Sequence, residues 1–186
     1  GYSVTHLGSL PGGDGATPHD LNNAGQVVGE GWASGQVRAF LWENGQITDL
    51  GALNGTGSSV AYGINNAGQV VGESDALSEA NPKPQAFVWE SGVMTSLRDK
   101  SSLFDGSGAR AVSDSGAVVG WSVCNPTACG GQPGQRYAAS WHSDTLPDLL
   151  PMLVPFGTQS PELAFAVNGS DQAVGMSAQG KGVLWE

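Results

Sequence analysis

The residues able to do chemistry are few and scattered. Three histidines, His6, His19 and His142, are the available general bases, yet no Ser or Cys in a nucleophile-elbow context stands beside any of them. They are read as turn or surface residues, with His19-Asp20 set to bond within a strand. Glu30 and Glu73 occupy the same place in two related stretches, but Trp121 and Met176 replace them in two others, so no ring of carboxylates is expected. The acidic turns Gly12-Gly13-Asp14-Gly15 and Asp105-Gly106-Ser107-Gly108 lack the ligand spacing and closing Glu of a calcium loop. Cys124 and Cys129 bracket Asn125-Pro126-Thr127-Ala128; with no second Cys or His pair for zinc, they read as a disulfide closing a short loop in an oxidising compartment. What remains is stacking. Trp32 and Trp121, each just after a strand, and Tyr62, within one, are the aromatics placed to bind a ligand such as a sugar ring.

The elements that position these residues come from one repeated unit. Ile64-Asn65-Asn66-Ala67-Gly68-Gln69-Val70-Val71-Gly72-Glu73 recurs, with Leu for Ile, at Leu21–Glu30, and in altered form at Val112–Trp121 and Val167–Met176. Each copy leads to a short run ending in Trp42, Trp89, Trp141 or Trp185. A repeat of roughly 45–50 residues lies in the range of propellers and solenoids.

Within a unit four strands can be read. The segment Ala61–Asn65 and its counterparts form the first. Asn-Asn-Ala-Gly then makes a turn, because Asn and Gly tolerate positive φ. Gln-Val-Val-Gly-Glu is the second strand and Ala39-Phe40-Leu41-Trp42 the third; Asn44-Gly45 turns into a fourth, Gln46–Gly51. Nothing has helical periodicity, and Pro151 and Pro155 interrupt the apolar stretch from Leu149 to Phe156.

The expected fold is therefore all-β, a four-bladed propeller of four-stranded blades in one domain, with repeats at about 16–55, 56–101, 102–157 and 158–186 plus 2–10. The last copy stops at Trp185-Glu186, after its third strand, whereas Tyr2–Gly8 matches a fourth strand: Leu7-Gly8 repeats Leu50-Gly51. The expectation is that this N-terminal strand completes the last blade and closes the ring. Trp42, Trp89, Trp141 and Trp185 would then fill the spaces between blades.

This pattern resembles the bacterial extracellular repeat named for its His-Ala-Phe tripeptide (the HAF repeat). Residues 21–30 and 64–73 match its first segment, Ala39–Trp42 and Ala86–Trp89 its second, and Asp49-Leu50-Gly51 its third. Arg38 and Gln85 stand where the family has His. The resemblance implies a propeller-like fold, secretion or surface display, and no particular enzymatic activity.

Bulk properties set the remaining expectations. The chain has 186 residues with 29 Gly, 6 Trp and a formal charge of -10. Without clustered Lys and Arg, nucleic acid is not an expected partner. No apolar run reaches the ~20 residues of a membrane span, and no charged-then-apolar leader is seen, so a mature secreted form is expected. The functional expectation is a non-enzymatic module without cofactor or metal, extracellular or at the cell surface. Its expected partners are other copies of itself, or extracellular protein or glycan. As a structural module it would build a fibre or surface layer; the alternative is a lectin-like carbohydrate binder using the loop aromatics.

Overall fold

The structure, a computed structural model, describes residues 1–75, 83–97, 104–124, 134–142, 148–151 and 162–186. Among these residues there are fifteen β-strands and no helix. Sheet 1 comprises β1 (Ala16–Leu21), β2 (Val27–Ala33), β3 (Gln36–Glu43) and β4 (Gln46–Asp49). Sheet 2 comprises β5 (Ser59–Ile64), β6 (Val70–Asp75), β7 (Pro84–Glu90) and β8 (Val93–Ser96). Sheet 3 holds β9 (Phe104–Val112), β10 (Val118–Cys124), β11 (Arg136–Trp141) and β12 (Asp148–Leu149). Sheet 4 has three strands, β13 (Leu163–Val167), β14 (Ala173–Met176) and β15 (Gly182–Trp185). Every sheet is an antiparallel meander in sequence order.

Local chemistry explains the hairpins. The β3–β4 turn has positive φ at both Asn44 (51°) and Gly45 (81°), as a two-residue turn matched to strand twist requires. In the strands the Val-Val pair does double duty. Successive side chains point to opposite faces, so Val70 packs toward sheet 1 while Val71 packs toward sheet 3. Val118 and Val119 divide in the same way between sheets 2 and 4. A middle sheet is thus buried on both faces.

Three clusters join the sheets in series. Val28, Ala39 and Leu41 of sheet 1 meet Ile64, Val70 and Phe87 of sheet 2, with Trp89 packed against them. Val71 and Ala86 meet Ala109, Val118 and Trp141 of sheet 3. Val119 and Ala138 meet Ala164 and Ala173 of sheet 4, with Trp185 alongside. Trp42 lies on the other face of sheet 1, near Leu10, Ala33 and Phe40. Phe87, Phe40, Val70 and Val71 are wholly buried. At ~25 cal/mol per Å² each contributes about 1.5–3 kcal/mol gross.

One expectation is corrected. Residues 1–10 contain no strand, Tyr2 and Val4 are fully exposed, and sheet 4 has no fourth strand among the described residues. The N-terminal segment does not pair with β15 in this structure. It is held at its far end instead: Leu10 is buried against sheet 1, and the Gly13 N–H donates to its carbonyl at 3.0 Å. Cys129 lies outside the described residues, and the expected Cys124–Cys129 link with it.

Candidate functional site

The repeated Asn turns form the first polar constellation. Asn65 Oδ1 accepts from the Ala67 and Gln69 N–H groups at 3.1 and 2.9 Å, closing its own turn. Its Nδ2 donates to Gln69 Oε1 (2.7 Å) and, across to sheet 3, to the Ser113 carbonyl (3.0 Å). Asn22 repeats the pattern one sheet earlier, bonding Gln26 Oε1 and the Asn65 carbonyl. The second residue of each turn adds a parallel link. The Asn23 N–H donates to Asn66 Oδ1, and the Asn66 N–H to Asp114 Oδ1. With a second bond from the Asn66 amide, these donors hold the Asp114 carboxyl below its ordinary pKa. Ser113 and Ser115 carry the series on to Asp171 of sheet 4. The motif is a latch between sheets. The turns of all four sheets line one recess, formed by residues including Leu21, Asn22, Ile64, Asn65, Val112 and Val167.

A second constellation lies on the inner strands. Pairing slips by one residue at the same place in every sheet, leaving His19, Tyr62, Arg110 and Phe165 as the extra residue of a β-bulge. A bulge re-aims its side chain, and these do not follow the strand's alternation. The rings of His19 and Tyr62 lie 5.4 Å apart, and the Arg110 guanidinium covers the Tyr62 ring at 3.9 Å. Phe165 is exposed. Arg110 also pairs with Glu73 at 2.8 Å, while Glu73 accepts from the Trp121 indole at 3.0 Å. Arg136 lies over the Trp121 ring at 3.9 Å. His19 approaches Glu30 at 3.8 Å. The result is a chain of planar and charged groups that runs through sheets 1, 2 and 3.

The bulge also explains the glycine two residues after Val27, Val70, Val118 and Ala173. A Cβ at Gly72 would stand 1.9 Å from the Val60 carbonyl oxygen, and at Gly29, Gly120 and Gly175 the corresponding gap is 2.0 Å. Only glycine lets the inner strand come this close.

The aromatics singled out for ligand binding are therefore separated. Trp32 is 54% exposed at the end of β2. Tyr62 is half-buried between His19 and Arg110. Trp121 is a correction: at 1% exposed, bonded to Glu73 and covered by Arg136, its ring offers no face to a ligand. Gly108 makes room for it, since a Cβ there would meet Glu73 and the Trp121 indole within 2.5 Å. His6 Nδ1 accepts the Gly8 N–H, and His142 lies exposed beside clefts between sheets 2, 3 and 4. Among the described residues no three His, Cys, Asp or Glu side chains converge as a metal site, and no helix is long and apolar enough to cross a membrane.

Sequence reasoning missed Arg110, Arg136 and the tie through Glu73. A signal existed: His19, Tyr62, Arg110 and Phe165 fall at one repeat position, and each has a planar group. Glu162 was also missed. It is buried, only one oxygen finds a donor, the Ala178 N–H at 3.5 Å, and burial pushes its pKa up. In the register it stands where Ser59 and Ser107 accept N–H bonds from Ala39 and Ala86 of the preceding sheet. Compared with protein-family models and with curated proteins, the sequence matches none.

Proposed function

We propose that the chain is a non-enzymatic β-propeller module, secreted or displayed at the cell surface and built for structural assembly. Its four sheets are read as four blades around one axis, as the resemblance to the HAF repeat implies. The observation that carries this reading is the use made of the repeated polar residues. Asn22, Asn65, Asn66 and Asp114 spend their hydrogen bonds on turn closure and sheet-to-sheet latches, around a recess lined by all four turns. A repeat whose shared residues are consumed in joining units is a building unit. The net charge of -10 is consistent with protein or glycan partners rather than nucleic acid. Light scattering and negative-stain microscopy of the purified chain test the assembly reading. Ordered multimers are expected, and a monomer at every concentration would overturn it.

Exposed Trp32 favours one second reading, a lectin-like binder that stacks a sugar ring. A glycan array separates the two: binding lost in Trp32→Ala would support the lectin, and silence would remove it.

A further inference from the structure

One polar pair is treated differently from copy to copy. The Gln just before the second strand and the Glu just after the third are neighbours in the register. Gln26 Nε2 donates to Glu43 at 2.8 Å in sheet 1, and Gln172 Nε2 to Glu186 at 3.1 Å in sheet 4. In sheet 2 the same pair, Gln69 and Glu90, is not joined. Gln69 Oε1 accepts from Asn65 at 2.7 Å, which leaves its Nε2 protons without an acceptor. The Glu90 carboxylate accepts no hydrogen bond among the described residues.

Both side chains line a cleft of about 410 Å³ between sheets 2 and 3, a volume that takes a small organic molecule. Its wall is apolar: Val88, Leu97, Ala117, Val118 and Trp141. Trp141 is the most deeply buried of these, at 2% exposed, and its indole N–H has no acceptor. The Trp185 indole, at the same repeat position, donates to the Pro151 carbonyl at 2.8 Å. The rim carries a carboxylate that the other copies lack. Asp171 stands where they have Gly25, Gly68 and Gly116, and like them it takes a left-handed φ, +59°, a conformation that disfavours a side chain. Ser113 and Ser115 donate to its Oδ1 at 3.1 and 2.5 Å, so Oδ2 keeps its accepting capacity. Among the described residues no Lys or Arg lines the cleft.

Two carboxylates with oxygens to spare select a cation that has protons to donate. The unpaired donors of Gln69 and Trp141 select oxygen acceptors close to that cation. An alkylamine meets the first demand only, and a neutral sugar the second only. We infer that this cleft binds an amino sugar in its protonated form. The ammonium pairs with Glu90 and Asp171, hydroxyl oxygens accept from Gln69 Nε2 and the Trp141 indole, and the ring carbons lie against the apolar wall. The site needs no second copy. It also lies where Gln69 leads into β6, whereas Trp32 stands at the far end of β2. It is therefore independent of both readings above.

Titrating the nitrogen-labelled full chain with glucosamine, and following the Trp141 indole N–H by NMR, tests the site; Trp141→Phe identifies the resonance. The resonance is expected to move with a millimolar Kd that weakens as salt screens the charges. Glucose and N-acetylglucosamine, which lack the ammonium, and cyclohexylamine, which lacks the hydroxyls, are each expected to bind at least about tenfold more weakly. Glu90→Gln, and Asp171→Gly, which puts there the residue of the other three copies, should each weaken glucosamine about tenfold with unchanged circular dichroism. Trp32→Ala should leave its affinity unchanged. A resonance that stays still, or that glucose or cyclohexylamine moves equally well, would overturn the amino-sugar assignment. Full affinity in both carboxylate variants would overturn the site. Loss of binding in Trp32→Ala would also overturn it and leave the lectin reading standing.

Discussion

Replacing Asn65 by Ala isolates what the repeated turn contributes. Asn65 is buried and its side chain makes four hydrogen bonds, three within its turn and one to the Ser113 carbonyl of the next sheet. Asn168 makes the same three local bonds, at 2.9, 3.0 and 2.9 Å, but is exposed. The two positions therefore differ by one inter-sheet bond and by burial. A net hydrogen bond is worth about 0.5–1.5 kcal/mol, and an unpaired buried group costs about 1–3. Water replaces the exposed local bonds at Asn168, so Asn168→Ala should cost roughly 1 kcal/mol. Asn65→Ala should cost about 3–4 kcal/mol, because buried turn donors lose their acceptor as well. For a chain of this length that is about 6–15 °C in Tm against about 2–4 °C. Asn65→Asp keeps the acceptor and removes the donors, so it should fall between. Guanidinium unfolding followed by far-ultraviolet circular dichroism measures all three. Equal costs at positions 65 and 168, within about 0.5 kcal/mol, would refute the latch.

Two further outcomes follow from the same geometry. Gly72→Ala should cost at least about 3 kcal/mol, since a Cβ cannot stand 1.9 Å from a carbonyl oxygen. Gly68→Ala, strained only by its positive φ, should cost about 1–2; chemical denaturation of the pair checks the ranking. At Glu162 the folded pKa is raised by burial, so the folded chain holds its proton more tightly than the unfolded chain. Stability should fall as pH rises from the ordinary value of 4.5 through the raised one. Glu162→Gln should flatten that slope and raise Tm above the window; an unchanged pH profile would show that the carboxyl carries no penalty.

The strands and turns were legible because their chemistry is local. Asn44-Gly45 specifies a tight turn wherever it occurs, and Gln69-Val70-Val71-Gly72-Glu73 reads as a strand from its β-branched pair. The latches were not legible, because the partner of Asn65 is a carbonyl one copy further on and no residue type marks it. The bulges were hidden for another reason. Ala61-Tyr62-Gly63 reads as plain alternation, and only the pairing with Gly72 and Val71 reveals Tyr62 as the extra residue. That one slip turned an aromatic expected to await a ligand into one capped by Arg110. Trp121 failed similarly: its burial depends on Gly108, Glu73 and Arg136, which belong to three different strands. The N-terminal match to β4 misled: Gly8 shares the positive φ of Gly51, but residues 1–10 form no strand.

The division of labour inside the repeat bears on where recognition is located. The positions shared by the copies are spent: Asn on latches, Val on two hydrophobic faces, Gly on close approach. The bulge position is fixed in backbone but varies in side chain, as His19, Tyr62, Arg110 and Phe165. Three of these already stack across sheets, so this position couples neighbouring units through planar contacts whose chemistry differs at each step. Trp32 occupies the register place of Asp75 and Val123, and is the only aromatic of that set. Sheet-to-sheet joining is thus common to all copies, whereas anything selective must rest on the residues in which they differ. A substitution at Tyr62 or Arg110 should therefore alter the contact between two particular sheets, and one at Trp32 should leave every sheet contact intact.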